Sequence, residues 1–228
     1  MRRLLLFDID GTLVWGGPAK SAFHAALLET FGTAGDIEVH SFAGKTDPQI
    51  ARELLRGAGL DDPEIDRGFP GLWRRYLHHL EARLVDLPMD VLPGVVELLD
   101  ALDGHDGVGL GLLTGNIAGG AELKLRNAGL FGRFRMGSYG SDSEVRDELT
   151  AIALRRAEDV WGTAVSPRNV FVVGDTPRDV QCGRLASMRT LAVATGHYGS
   201  EELVAAGADH VVRDLSDTGA VVRLLTSD

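Results

Sequence analysis

The sequence predicts an α/β protein: a parallel sheet covered by helices, with a helical module inserted after the first strand. Three observations carry this. Short apolar runs recur that are continuous rather than alternating, the mark of parallel strands buried on both faces, and helical patterns lie between them. The stretch 15–90 breaks that rhythm, with no convincing strand and at least three helical patterns. Glycine is abundant, 29 of 228 residues, and dispersed, as many tight strand-to-helix turns require.

Taken in order, Leu4–Ile9 is the first strand. Phe23, Leu27 and Phe31 then repeat every four residues, and Gly32 ends that helix. Asp47-Pro48 reads as an N-cap with proline at the first helical position, opening Gln49–Arg56. Leu72, Tyr76, Leu80 and Leu84 share one face of a third helix. From Pro93-Gly94 the alternation resumes: helix Val95–Leu102, strand Val108–Leu113, helix Ala118–Ala128 stopped by Gly129, and a weaker strand at Phe134–Met136. Helix Glu144–Trp161, strand Val170–Val173, helix Arg178–Ala186, strand Thr190–Val193, helix Glu201–Ala206 and a weak strand His210–Val212 complete it. The division expected is a core of 1–14 and 91–228 and an insert of 15–90.

Lys and Arg number 23 against 33 Asp and Glu, a net charge of −10. That excess of acid excludes a nucleic-acid partner, which wants a basic stripe, and docking on anionic lipid. The apolar run after Met1-Arg2-Arg3 has only four residues, Leu4–Phe7, too short for a secretory leader. With no long apolar run and one cysteine, Cys182, a cytoplasmic location is expected. The partner expected is a small molecule, and the assembly a monomer or homodimer.

The chemistry gathers at strand ends. The first strand runs into Asp8-Ile9-Asp10-Gly11-Thr12. Alone, this pair of carboxylates is equally well a solvated turn. Yet Val108–Leu113 ends in Thr114-Gly115-Asn116, and Val170–Val173 ends in Gly174-Asp175-Thr176-Pro177-Arg178-Asp179. Three apolar strands that stop abruptly in polar groups place those groups on one sheet edge, where open α/β sheets bind ligands. Converging carboxylates favour a hard divalent cation such as Mg²⁺. A carboxylate can attack phosphorus, a second can serve as acid and then base, and a hydroxyl with backbone N–H groups can hold phosphoryl oxygens.

In this order and spacing the three motifs resemble the haloacid dehalogenase superfamily over essentially the whole chain. The helical insertion resembles the helical cap of its phosphoglycolate phosphatases. The resemblance implies a Rossmann-like core with an inserted α-helical cap, and a Mg²⁺-dependent phosphatase of small phosphate monoesters. It makes Asp8 the nucleophile and a metal ligand, and Asp10 the acid/base with its carbonyl on the metal. Thr114 would bind the transferring phosphoryl group, with Gly115 and Asn116 assisting. Asp175 and Asp179 would complete the metal site. The superfamily's usual lysine is missing: lysine occurs only at Lys20, Lys45 and Lys124, none in the expected stretch. Arg146 is the candidate replacement, since arginine keeps the charge and offers a fork suited to phosphate; the alternative is a surface helix arginine paired with Asp142 or Asp147. Asp10 favours phosphate-ester hydrolysis over carbon–halogen cleavage, because an alkoxide needs a proton and a halide does not. A phosphomutase of the β-phosphoglucomutase kind would use the same residues, and a receiver-like phospho-switch is the alternative of another class.

Other features carry less. Gly44-Lys45-Thr46 resembles the end of a P-loop, but the glycine needed five residues earlier is Val39. Lys45 and Thr46 are instead candidates for reaching the substrate from the insert. Cys182 reads as core, the seven histidines show no zinc spacing, and His197-Tyr198 is a candidate for the mouth of the site.

Overall fold

The computed structural model describes residues 3–103 and 105–227; Met1, Arg2, Gly104 and Asp228 lie outside it, and with them the start of the leader reading. Among the described residues no helix is long and apolar enough to cross a membrane.

Strands β1 (Arg3–Phe7), β4 (Val108–Thr114), β5 (Met136–Tyr139), β6 (Val170–Gly174), β7 (Arg189–Val193) and β8 (His210–Val212) form one parallel sheet in the order β5-β4-β1-β6-β7-β8. β1 is central, and its residues alternate between two cores as a strand must. Leu5 and Phe7 face one core; Leu4 and Leu6 face the other, with Leu149 and Ala153. Phe7 pairs with Leu112 on one side and Val173 on the other. The three strands therefore run out at the same level, and the residues that follow them leave the sheet together.

Helices α4 (Val95–Asp103), α5 (Ala118–Asn127), α6 (Leu149–Trp161), α7 (Pro177–Leu185), α8 (Ser200–Ala205) and α9 (Thr218–Thr226) belong to this part. Between residues 17 and 88 lie α1 (Ala19–Phe31), α2 (Asp47–Gly57) and α3 (Asp62–Leu84). Phe23, Leu27, Tyr76 and Leu80 pack α1 on α3, and this apolar interior continues into the Leu5–Phe7 side of the sheet.

Several boundaries differ from the sequence expectation. The insert is bounded by a two-stranded antiparallel ribbon, β2 (Val14–Gly16) and β3 (Met89–Val91), pairing Val14 with Val91 and Gly16 with Met89. Three residues are too few to show alternation. The N-cap of α2 is Thr46, whose extended backbone (φ −85°, ψ 149°) lets its hydroxyl accept from Gln49 N–H at 3.2 Å; Asp47 is the first helical residue. α3 begins ten residues before Leu72, capped by Asp61. The long helix expected from Glu144 begins at Leu149, after a 3₁₀ turn at Arg146–Glu148. β5 lies at Met136–Tyr139 rather than Phe134–Met136, and α9, capped by Asp217 and burying Val221 and Leu225, was not expected.

Candidate active site

Asp8 follows β1 directly, and its N–H still donates to Val173 O at 2.9 Å, so its backbone continues the sheet. Asp175 follows β6. Asp179 sits in the first turn of α7, where a reciprocal cap fixes it: Thr176 N–H donates to its Oδ2 at 3.0 Å and Thr176 Oγ1 at 2.7 Å. Asp8, Asp175 and Asp179 are buried, and carboxylate oxygens of the three lie within 4.8 Å of one another. The packing is tight enough to require Gly11, at φ +85°: a Cβ there would collide with the Asp175 carboxylate. Thr12 Oγ1 donates to Asp175 Oδ1 at 3.2 Å.

Arg146 closes this cluster. It is 5% exposed, and its Nη2 lies 3.2 Å from Asp8 Oδ2 and bonds Asp179 Oδ1. Its Nε is buried and meets no acceptor among the described residues. Burial works against the guanidinium charge, but Asp179 and Asp8 outweigh it and raise the pKa above its ordinary value. One cation does not neutralise three acids. Burial first, then Asp179 and Asp8, push Asp175 up to about 9. Burial, opposed by Arg146, leaves Asp8 at about 6.

Asp10 stands in a second cluster, with a half-exposed carboxyl. It accepts from Lys124 Nζ at 2.8 and 2.7 Å and from Asn116 Nδ2 at 2.7 Å. Asn116 Nδ2 also donates to Thr114 Oγ1 at 2.9 Å, and Asn116 Oδ1 accepts from Lys124 at 2.6 Å. Lys124 was not among the residues expected here. The signal lay in the helix pattern, for it shares a face with Ala121 and Leu125, where a lysine needs a partner.

Gly115 and the insert meet backbone to backbone: a Cβ on Gly115 would collide with the Lys45 carbonyl, and Asp47 N–H donates to Gly115 O at 2.8 Å. Thr46 is buried, and its hydroxyl donates to Glu144 O at 2.8 Å. Lys45 turns to Glu53 Oε2 at 2.5 Å and His40 Nε2 at 3.2 Å, so the structure does not bring it to the carboxylates. His197 packs edge-on against Trp15 at 5.0 Å between ring centroids. Cys182 is buried, with its thiol pushed up to about 12 by burial. An open cavity of about 410 Å³ lies beside Arg146, walled also by Arg52, Arg56, Glu144 and Arg178.

Three buried carboxylates with more negative charge than Arg146 offsets, and oxygen donors only, fit a hard divalent cation. The arrangement pairs a shielded carboxylate with an arginine, and sets a half-exposed carboxyl two residues on.

A family model described as haloacid dehalogenase-like hydrolase matches residues 3–187. The phosphoglycolate phosphatase of Synechococcus elongatus is 30% identical over 215 residues, 93% of this chain and 93% of its own. The N-acetylmuramic acid 6-phosphate phosphatase of Pseudomonas aeruginosa is 28% identical, covering 94% of this chain and 93% of its own. The crystal structure of a hydrolase from Pseudomonas syringae shares the fold, with a TM-score of 0.72 at 21% identity over all of both chains. With the family model spanning most of the chain and strand-end carboxylates where the motifs put them, the chain belongs to the haloacid dehalogenase-like hydrolase family.

Proposed function

We propose that this chain, a phosphoric monoester hydrolase of that family, cleaves a small phosphate monoester by way of an aspartyl phosphate on Asp8. The observation that carries the reading is the contact of Arg146 with Asp8 at 3.2 Å inside a buried carboxylate cluster. A nucleophilic carboxylate needs shielding from water and a counter-charge for the incoming phosphate, and Asp8 has both.

Asp8 Oδ attacks phosphorus, the ester oxygen leaves, and the Asp10 carboxyl gives that oxygen its proton. The same group then takes a proton from the water that hydrolyses the aspartyl phosphate. Thr114 Oγ1 and the Gly115 N–H orient the phosphoryl oxygens, Asn116 steadies the Thr114 hydroxyl and the Asp10 carboxylate, and Arg146 offsets the phosphoryl charge. Asp8, Asp175 and Asp179, with the Asp10 carbonyl, would hold Mg²⁺, which supplies further positive charge to the phosphoryl group.

Residues 15–90 act as a cap on the core of 1–14 and 91–228, with β2 and β3 as the two strands that join them. The cavity beside Arg146 is lined by acids as well as arginines, and Arg52 and Arg56 there are paired with Glu144, Asp62 and Asp66. The relatives named for phosphoglycolate and for a sugar phosphate support a small phosphorylated metabolite, and the acidic composition weighs against a nucleic-acid or anionic-membrane partner. A panel of phosphate esters with Mg²⁺, phosphoglycolate and sugar phosphates included, tests the reading. Asp8→Asn is expected to lose turnover on every ester. Asp10→Asn is expected to form the phospho-enzyme and release it slowly. Full activity of Asp8→Asn refutes the assignment.

A further inference from the structure

Lys124 is the most deeply buried lysine of the chain's three, at 3% exposure against half- or partly exposed Lys20 and Lys45. An ammonium so enclosed must have its donors met. They are: three acceptors, Asp10 Oδ1, Asp10 Oδ2 and Asn116 Oδ1, stand at 2.8, 2.7 and 2.6 Å. Asn116 spends both amide hydrogens in the same network, on Asp10 Oδ2 and Thr114 Oγ1. A lysine near the C-terminal end of a helix is commonly there for the helix dipole. That role does not require burial, nor both oxygens of one carboxylate.

The network crosses into the insert. Asp47, at the start of α2, is partly buried and accepts from Ile117 N–H at 2.8 Å. It lies near enough to Lys124 and Asp10 for each to act on its charge. The buried Tyr76 of α3 feels the charges of Asp47 and Asp10 in turn.

We propose that Lys124 is a positioning residue: with Asn116 it sets the rotamer of the Asp10 carboxyl, so that the group presents to the leaving oxygen. This rests on the reading of Asp10 as acid/base. Asp10 has no other side-chain hydrogen bond among the described residues. Without Lys124 and Asn116, a half-exposed aspartate would sample several rotamers.

The test exploits the leaving group. Release of an alkoxide needs the Asp10 proton, whereas an activated dinitrophenolate leaves without one. Lys124→Met keeps the length of the buried side chain and removes the ammonium. In single-turnover experiments the variant is expected to release the alcohol from an alkyl phosphate about 100-fold more slowly than the parent. Release from 2,4-dinitrophenyl phosphate should stay within about threefold, with KM little changed. In an Asp10→Asn background, Lys124→Met should add no further loss on the alkyl ester. Equal slowing of both esters, or of neither, overturns the proposal, as does additivity with Asp10→Asn. If Lys124→Met does not fold, Lys124→Gln is put through the same comparison, with the same outcomes deciding. Failure of the underlying reading shows separately, as a parent enzyme that cleaves neither ester or an Asp8→Asn variant that cleaves both.

Discussion

Arg146 and Lys124 are the two buried cations of the site, and they hold different acids. Arg146 meets Asp8 and Asp179, and Lys124 meets Asp10. Removing one partner of a buried ion pair costs about 3–5 kcal/mol, because the charges left behind are neither solvated nor paired. Loss of one donor to a developing anion costs about 100- to 1,000-fold in turnover. Arg146→Ala is therefore expected to lower both the melting temperature and kcat. Arg146→Lys should recover more of the stability than of the rate, since lysine keeps the charge and loses the fork. Thermal melts and steady-state kinetics on the same samples check this, and wild-type turnover in Arg146→Ala would sink it. The legibility of the two cations differed for a physical reason. Arg146 lies in the first turn of the expected helix Glu144–Trp161, just before β6, so its place relative to β6 follows from the order of elements. Lys124 reaches Asp10 across 114 residues, and only the buried face of α5 could have pointed to it.

At the scale of the element, α2 is what seats the insert. Its cap Thr46 bonds Glu144 O, its first residue Asp47 takes a hydrogen bond from Ile117, and Arg52 on its second turn meets both oxygens of Glu144 at 3.0 and 2.9 Å. Burial, only partly opposed by Lys124, lifts Asp47 from 3.8 to about 6. An acid whose pKa is raised on folding binds more protons folded than unfolded between those values. Its contribution is therefore fully present below about pH 4 and is lost as pH rises to about 6. At about 1.4 kcal/mol per pH unit the loss is about 3 kcal/mol at most. Asp47→Asn keeps an acceptor for Ile117 and has no charge to bury. Wild type should thus lose stability relative to Asp47→Asn from pH 4 to 7; denaturant melts at both ends measure it, and parallel curves would contradict it. The α/β alternation of the core was readable because strands and helices there are long enough to show their periods. β2 and β3 were not, with three residues each, and the start of α3 was hidden by a first turn of Asp62, Pro63 and Glu64 that carries no apolar stripe.

For the whole molecule, the site exists because β1, β4 and β6 end at one level, and that convergence was visible in three apolar runs that each stop in polar residues. What a sequence could not show is how closed the convergence is. Burial followed by Asp179 and Asp8 holds Asp175 at about 9, and burial holds Asp8 at about 6. A metal taken up by these carboxylates must therefore displace protons at neutral pH. Mg²⁺ affinity is expected to rise between about pH 6 and pH 9, with proton release seen by calorimetry in buffers of different ionisation enthalpy. Chelation with EDTA should remove activity, and Mg²⁺ restore it. Binding independent of pH would place the ion elsewhere.

The position of β1 also bears on how the chain is made. This strand is made before its sheet partners, for it pairs Arg3 with Val108 and Leu4 with Val170. At about 5–20 residues per second, roughly 8–30 s of synthesis separate Leu4 from its partner on β6. Through that interval a run of leucines waits with at least one edge open, while α1 and α3, close in sequence and in space, can already pack on each other. The strand that carries Asp8 is thus the one most exposed to unwanted pairing before the fold closes around it.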